Sequence, residues 1–396
     1  MRLSDIATFV EEKVSSEDIS LSQYVTTDSL LQNKAGRTVA QNLPPQKCSL
    51  NSFKKGDVLL GNIRPYLKKI WYATIDGGCS QNVLVLRAKE NKDSSFLYAL
   101  LSQDSFFEYE MKATKGSKMP RGDKNHIMNF PCIYLKNKIG IGSFLSSLDE
   151  KIALNRHINA RLEQMAKRLY DYWFVQFDFP NSDGKPYKSS GRKMVYNAEL
   201  KREIPEGWEV GNLYEIADYI NGLACQNFRP KEYEESLPVI KIREMNEGIT
   251  KDTEQVSINI PEKYKINNGD ILFSWSATLE VMVWNGGKGG LNQHIFKVMP
   301  KNYFSHEYVY QQLDRYVVNF QKQAEARKTT MGHITSEHIN QSRVVLPPEE
   351  TVQVFTQKVK TLSKMKSNLK AENLKLASLR DRLLPLLIVM PNRNLD

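Results

Sequence analysis

The chain repeats itself, and this constrains its architecture more than any other feature. Lys55-Gly56-Asp57-Val58-Leu59-Leu60 recurs as Asn268-Gly269-Asp270-Ile271-Leu272-Phe273, a displacement of 269 − 56 = 213 residues. In the same order, Ser80-Gln81-Asn82-Val83-Leu84 matches Asn292-Gln293-His294-Ile295-Phe296 at 293 − 81 = 212. Met119 matches Met331 and His126-Ile127 matches His338-Ile339, both again at 212. Leu3-Ser4-Asp5-Ile6-Ala7 resembles Leu213-Tyr214-Glu215-Ile216-Ala217 at 210. One such match is within chance, but a co-linear series at nearly constant phase marks a tandem duplication. Apolar runs at 58–60, 83–86, 239–242, 271–273 and 344–346, punctuated by Gly, Asn and Pro, predict short strands with irregular connections. Each repeat therefore opens with a mixed, mostly β globular domain.

A segment of different character closes each repeat. Leu145, Leu148, Ile152, Asn155, Asn159, Leu162, Ala166, Leu169 and Trp173 keep the 3-4 spacing of a heptad seam. Val352, Phe355, Val359, Leu362, Lys366, Leu369, Asn373, Leu376, Arg380, Leu383 and Leu387 do the same. Asn159 and Asn373 occupy equivalent seam positions, where a buried amide costs stability but specifies register. Two helices recurring at one repeat position favour pairing with each other over separate packing. The expected fold is α+β: two similar domains separated by two long helices in an antiparallel coiled coil, with pseudo-twofold symmetry from the duplication. The segments are 1–138, the spacer helix 139–178, an exposed Gly/Ser/Lys-rich linker 179–203, a second domain 204–348 and a second spacer helix 349–390. The 29 positions from 145 to 173 make a helix about 43 Å long, against about 34–36 Å for one turn of B-DNA. Two unlike heads at that spacing suit two unlike half-sites with untouched base pairs between them.

Charge points to the ligand. Among 396 residues, 55 Lys and Arg outnumber 45 Asp and Glu, a net +10, so an extended polyanion is the first partner to consider. With 41% hydrophobic and 25% charged residues the chain is an ordinary globular one. No signal-peptide pattern or long apolar run is present, so a cytoplasmic location without membrane partners is expected. Cys48, Cys79, Cys132 and Cys225 are far apart, as small buried residues would be, and suggest neither a disulfide framework nor a zinc site.

DNA-reading loops need cations for phosphates and Arg, Asn, Gln, Ser or Thr for base edges. Before the shared Met, one repeat carries Lys115, Ser117 and Lys118, followed by Arg121; the other carries Arg327, Lys328, Thr329 and Thr330. Gly286-Gly287-Lys288-Gly289-Gly290 with Asn292 is not a phosphate-binding loop of the G-x-x-x-x-G-K-[ST] type; it reads as a flexible hairpin tip or a DNA contact. Lys34, Arg37, Arg64 beside Tyr66, Lys68, Arg229, Lys241 and Arg243 are further candidates, each equally consistent with ordinary surface. Catalytic patterns are absent: Leu43-Pro44-Pro45 and Leu346-Pro347-Pro348 lack the acid or amide and the aromatic of an amino-methyltransferase motif. No metal site is expected. His333 and His338 are poorly spaced as a helical metal pair, and the repeat of His126 at His338 favours a structural role.

Leu148-Asp149-Glu150-Lys151-Ile152, Asn155-Arg156, Leu162-Glu163-Gln164-Met165-Ala166 and Leu169-Tyr170-Asp171-Tyr172-Trp173-Phe174 resemble the central helix of DNA specificity subunits of type I restriction–modification systems. Leu379-Arg380-Asp381-Arg382-Leu383-Leu384-Pro385 resembles that family's C-terminal helix, and Pro205-Glu206-Gly207-Trp208 with 213–217 resembles its target-recognition-domain opening. Leu346-Pro347-Pro348 with Glu350 and Gln353 resembles the exit from that domain. The first domain departs from the pattern, starting directly at Leu3 and leaving through Leu135-Lys136-Asn137. The resemblance implies that 1–138 and 204–348 are target recognition domains on double-stranded DNA. It also implies that two methyltransferase subunits dock on the helices and that restriction subunits join them. S-adenosylmethionine, ATP and magnesium would then serve those partners, with no cofactor or active site in this chain. A stand-alone methyltransferase or nuclease, or a scaffold without DNA affinity, are the competing readings.

Overall fold

A computed structural model describes residues 1–114, 119–132, 137–250, 252–326 and 334–389. They form two compact units, one of residues 1–156 with the chain from 372 onward, the other of 157–371. The division falls inside both long helices, so each unit comprises a globule with its own stretch of each helix.

Each unit is built on the same antiparallel sheet. In the first the strand order is Ala7–Phe9, Val83–Ala88, Val58–Gly61, Ile70–Tyr72; in the second it is Ala217–Asn221, Ile295–Pro300, Ile271–Ser274, Glu280–Val283. Registers agree as well: Val58 lies opposite Leu86 and Tyr72, and Ile271 opposite Val298 and Val283. Successive side chains on a strand face opposite ways, and both faces here are covered. Val58, Leu60, Leu84 and Leu86 enter a core with Leu97 and Phe106, while Leu59, Val83 and Val85 enter another with Phe53 and Trp71. Ile271 and Phe273 likewise part from Leu272. Burial on both faces is why these strands read as unbroken apolar runs. The helices Ser94–Leu101, Asp104–Lys112 and His306–Ala326 cover one face of each sheet, so each domain is more helical than its strand signals suggest.

The repeated Gly-Asp is the turn entering the central strand. Gly56 and Gly269 have φ of 94° and 97°, open to glycine and strained for other residues. The following carboxylate closes the turn: Asp57 accepts from the Lys54 amide at 2.7 Å and Asp270 from the Asn267 amide at 2.8 Å. Arg87 and Lys297 neutralise buried Asp57 and half-buried Asp270 from the neighbouring strand.

A second sheet shows where the copies diverge. Gly77–Cys79 lies between Tyr24–Val25, parallel, and Ser49–Phe53, antiparallel; Gly289–Leu291 lies between Ser236–Ile240 and Lys265–Ile266 with the same two senses. The fourth strand then adds at opposite edges, Lys13–Ser15 on Ser49–Phe53 and Gln255–Ser257 on Ser236–Ile240. Gly289 and Gly290 are therefore buried strand residues, and only the preceding turn retains the character of a hairpin tip. A Cβ on Gly289 would stand 2.6 Å from Ile240 Cγ1.

The long helices are Lys138–Tyr170, continued by a π-turn Asp171–Val175, and Glu349–Val389. In the first unit Asn155 Nδ2 donates to Asn373 Oδ1 at 2.9 Å, Arg380 donates to Asp149 at 2.6 Å, and Leu145 shares a core with Leu384 and Ile388. Partner numbers rise on one helix as they fall on the other, so the pair is antiparallel. In the second unit Glu163 pairs with Lys366, and Trp173 meets Phe355 at 5.8 Å between ring centroids, again antiparallel. The register amide differs from expectation. Asn373 bonds Asn155, which is fully buried, and Asn159 lies one helical turn further on; repeat-equivalent residues of an antiparallel pair meet only at its centre. Past Arg380 the buried seam runs through Leu384 and Ile388 instead of Leu383 and Leu387.

The stretch read as an exposed linker is also structured. Met194–Asn197 pairs with Arg202–Pro205 in a hairpin, and buried Phe179 stacks on Tyr187 and Trp208 at 4.7 and 4.9 Å. Cys79, Cys132 and Cys225 are buried, while Cys48 is exposed. His126 and His338 have structural work: His126 stacks on Tyr109 at 4.0 Å, and His338 Nδ1 accepts from the Thr335 amide at 3.1 Å.

Candidate nucleic-acid interface

One loop follows the central strand in each unit and is tethered in the same way. The Gly122 amide donates to the Asn62 carbonyl at 3.2 Å, and the Ile334 amide to the Trp275 carbonyl at 2.9 Å, positions related by 212 and 213 residues. Two residues beyond each acceptor the backbone turns left-handed without glycine, at Arg64 with φ 53° and Ala277 with φ 57°. Left-handed geometry costs a non-glycine residue about 1–2 kcal/mol. Its recurrence at one repeat position marks a conformation the surrounding contacts impose, and such strain concentrates at binding sites.

In the first unit this loop sits against a second one. Asn33, Lys34 and Lys68 are left-handed too, with φ of 54°, 59° and 50°. The Asn33 and Lys34 amides donate to the Leu67 and Lys68 carbonyls, both at 2.9 Å. Arg64 donates its amide to the Pro120 carbonyl at 2.8 Å, placing exposed Arg64 and Arg121 on neighbouring segments beside exposed Tyr66 and Met119. Arg64 and Arg121 are thus exposed cations on adjoining segments, as phosphate or base contact requires. Arg37 is half-buried, its guanidinium 4.5 Å over the Trp71 ring and its Nη2 bonded to the Ser22 carbonyl at 2.9 Å.

Lys34 does not belong with them. It is 5% exposed and its ammonium meets Asp104 at 3.1 Å and Asp381 at 2.9 Å, because a buried lysine must be paired. Lys68, half-buried, shares Asp104 at 2.9 Å. Beneath the tether lies Glu110, fully buried, with neither carboxylate oxygen bonded among the described residues. Burial pushes its pKa up to about 8. A Cβ on Gly122 would stand 2.3 Å from Glu110 Oε1 and 2.9 Å from Asn62 Oδ1, so any other residue here must displace the carboxyl.

In the second unit, Arg229 and Lys288 are exposed. Lys288 rides a turn fixed by bonds from Trp284 Nε1 to the Gly287 carbonyl and from the Gly287 amide to Asn268, both 2.7 Å. Lys241 and Arg243 reach the surface but are ion-paired with Glu254 at 2.5 Å and Glu244 at 2.6 Å. Asn292 is 5% exposed: its side chain accepts from the His294 amide at 3.3 Å, so it shapes the turn and presents nothing outward. Lys115, Ser117, Lys118, Arg327, Lys328, Thr329 and Thr330 lie outside the described residues. Tyr233 was not anticipated: it is left-handed, 98% exposed, and lines a surface hollow with Phe228 and Arg229. Its signal was a single aromatic inside the charged run Lys231-Glu232-Tyr233-Glu234-Glu235. Exposed aromatics beside arginine are the means of base stacking or groove wedging. Among the described residues no group of three or more His, Cys, Asp or Glu could hold a metal ion, and no helix is long and apolar enough to cross a membrane.

The chain matches the family model described as type I restriction modification DNA specificity domain twice, over residues 1–164 and 205–378. It is 25% identical over 362 residues to the type I restriction enzyme MjaIX specificity subunit of Methanocaldococcus jannaschii, covering 87% of this chain and 79% of that protein. It is 24% identical over 432 residues to the type I restriction enzyme HindI specificity subunit of Haemophilus influenzae, covering 92% and 93%. The crystal structure of a type I restriction–modification S subunit from M. genitalium shares the fold with a TM-score of 0.56 at 14% identity, across 100% of this chain and 96% of that one.

Proposed function

Because the chain belongs to the type I restriction modification DNA specificity family, we propose that it reads an asymmetric bipartite DNA target and directs adenine methylation and restriction by partner subunits. The observation that carries this reading is the duplicated loop: one tethered, left-handed connection in each unit, bearing exposed Arg64 next to the Arg121 segment in one and exposed Ala277-Thr278 in the other. Two copies of one scaffold with unlike side chains suit two unlike half-sites, whereas identical heads would read a palindrome. Exposed cations supply phosphate contacts and arginine reads guanine edges.

Membership of a specificity family supports a recognition role over a stand-alone methyltransferase or nuclease. Two methyltransferase subunits and the restriction subunits would carry the chemistry, with S-adenosylmethionine, ATP and magnesium bound there. Footprinting the chain with its methyltransferase partner tests this: two protected patches flanking an unprotected gap are expected, and one continuous patch overturns it. If about six phosphates are contacted, affinity falls about a thousandfold between 50 and 200 mM salt.

A further inference from the structure

In the first unit, two arginines from different helices close on consecutive carbonyls of one loop. Arg380 Nη1 donates to the Lys34 carbonyl at 3.2 Å and to Asp149 Oδ1 at 2.6 Å, and Arg156 Nη1 donates to the Ala35 carbonyl. Asp149 is itself held by the Tyr98 hydroxyl at 2.8 Å. On the other side, the loop's amides are bound by the Leu67 and Lys68 carbonyls. The left-handed backbone at 33 and 34 is thus gripped from the helix pair and from the loop bearing Arg64. Every grip falls on main-chain groups except the Lys34 ion pairs. A carbonyl is present whatever side chain the loop carries, so this grip fixes loop shape without fixing loop sequence.

We infer that Arg156 and Arg380 are positioning residues for DNA reading: they hold the 33–36 loop, and through it the 64–68 loop, in the conformation that presents Arg64. This rests on the DNA-specificity reading above. Tight base readout needs a donor fork placed to within a fraction of an ångström, and a loop in a disfavoured backbone state relaxes when its carbonyl partners are removed. Arg156 serves the test well, since it reaches the surface and its loss leaves no buried acid unpaired. Arg380 is buried against Asp149, so R380K, which keeps the charge but loses the planar fork, is the milder change.

The experiment uses the full chain with its methyltransferase partner and a target selected from a random duplex library by the wild-type complex. Discrimination is the affinity ratio between that target and each single-base variant. For R156Q and R380K, discrimination should fall about tenfold at one half-site and stay unchanged at the other, with the thermal midpoint held. R156K, whose ammonium can still reach a carbonyl, should recover part of the loss. A folded R156Q complex that discriminates at both half-sites like the wild type overturns the inference, as does an equal loss at both. If the wild-type complex selects no bipartite target, the proposed function falls first and this inference with it.

Discussion

Glu110 shows how a single buried side chain can make stability depend on pH. Its carboxyl is fully buried under Gly122 with no bonded partner among the described residues, and burial holds its pKa near 8. A pKa raised in the folded state means that the folded protein binds the extra proton. Its contribution to stability is then complete below the ordinary carboxyl range and is lost as pH rises through about 8. Urea midpoints of the wild type should decline between about pH 5 and 9, and Glu110→Gln, which stays neutral, should flatten that decline and be the more stable protein at pH 9. Identical pH profiles would reject the assignment. Lys34 is the complementary case: its sequence neighbours suggest a surface cation, yet it is buried between Asp104 and Asp381, partners 70 and 347 residues away.

At the level of elements, the two long helices carry a buried amide pair inside their apolar seam. Asn155 donates to Asn373 and, at 2.7 Å, to Glu372, while Asn373 Nδ2 turns to the Ile152 carbonyl at 3.4 Å. Asn373→Leu removes the acceptor and leaves a buried amide short of a partner, costing about 1–3 kcal/mol. Asn155→Leu/Asn373→Leu replaces both groups with apolar ones and should recover most of that loss. Denaturant unfolding of both single variants, Asn155→Leu and Asn373→Leu, and of the double variant measures the coupling, and simply additive costs would show that the pair is not energetically joined. The seam itself was legible in the sequence, since Leu145, Ile152, Leu162 and Ala166 are buried as their spacing requires. Its pairing was not, because a heptad pattern states which face is apolar and leaves open which residue stands opposite.

For the whole molecule, the reading that the length of the helices sets the spacing of two half-sites makes a length prediction. Seven residues inserted into each long helix add about 10 Å, or about three base pairs, to the gap in the preferred target while leaving both half-sites unchanged. Selection of targets from a random library checks this, and an unchanged gap rejects that reading. The sequence alone determined the duplication, the strands at 58–60 and 271–273 to within a residue, the Gly-Asp turns and the helical seams, because those depend on local periodicity and on φ preferences that a few adjacent residues settle. Only the tertiary structure decided which of the candidate side chains stay exposed. Arg64, Arg121, Arg229 and Lys288 stay exposed, whereas Lys34 and Asn292 are buried, since a side chain's exposure depends on what the rest of the chain packs against it. It also decided that Asn155, and not Asn159, meets Asn373, and that the fourth strand joins opposite edges in the two copies. Pairing across tens or hundreds of residues is a property of the folded geometry, to which no short stretch of sequence has access.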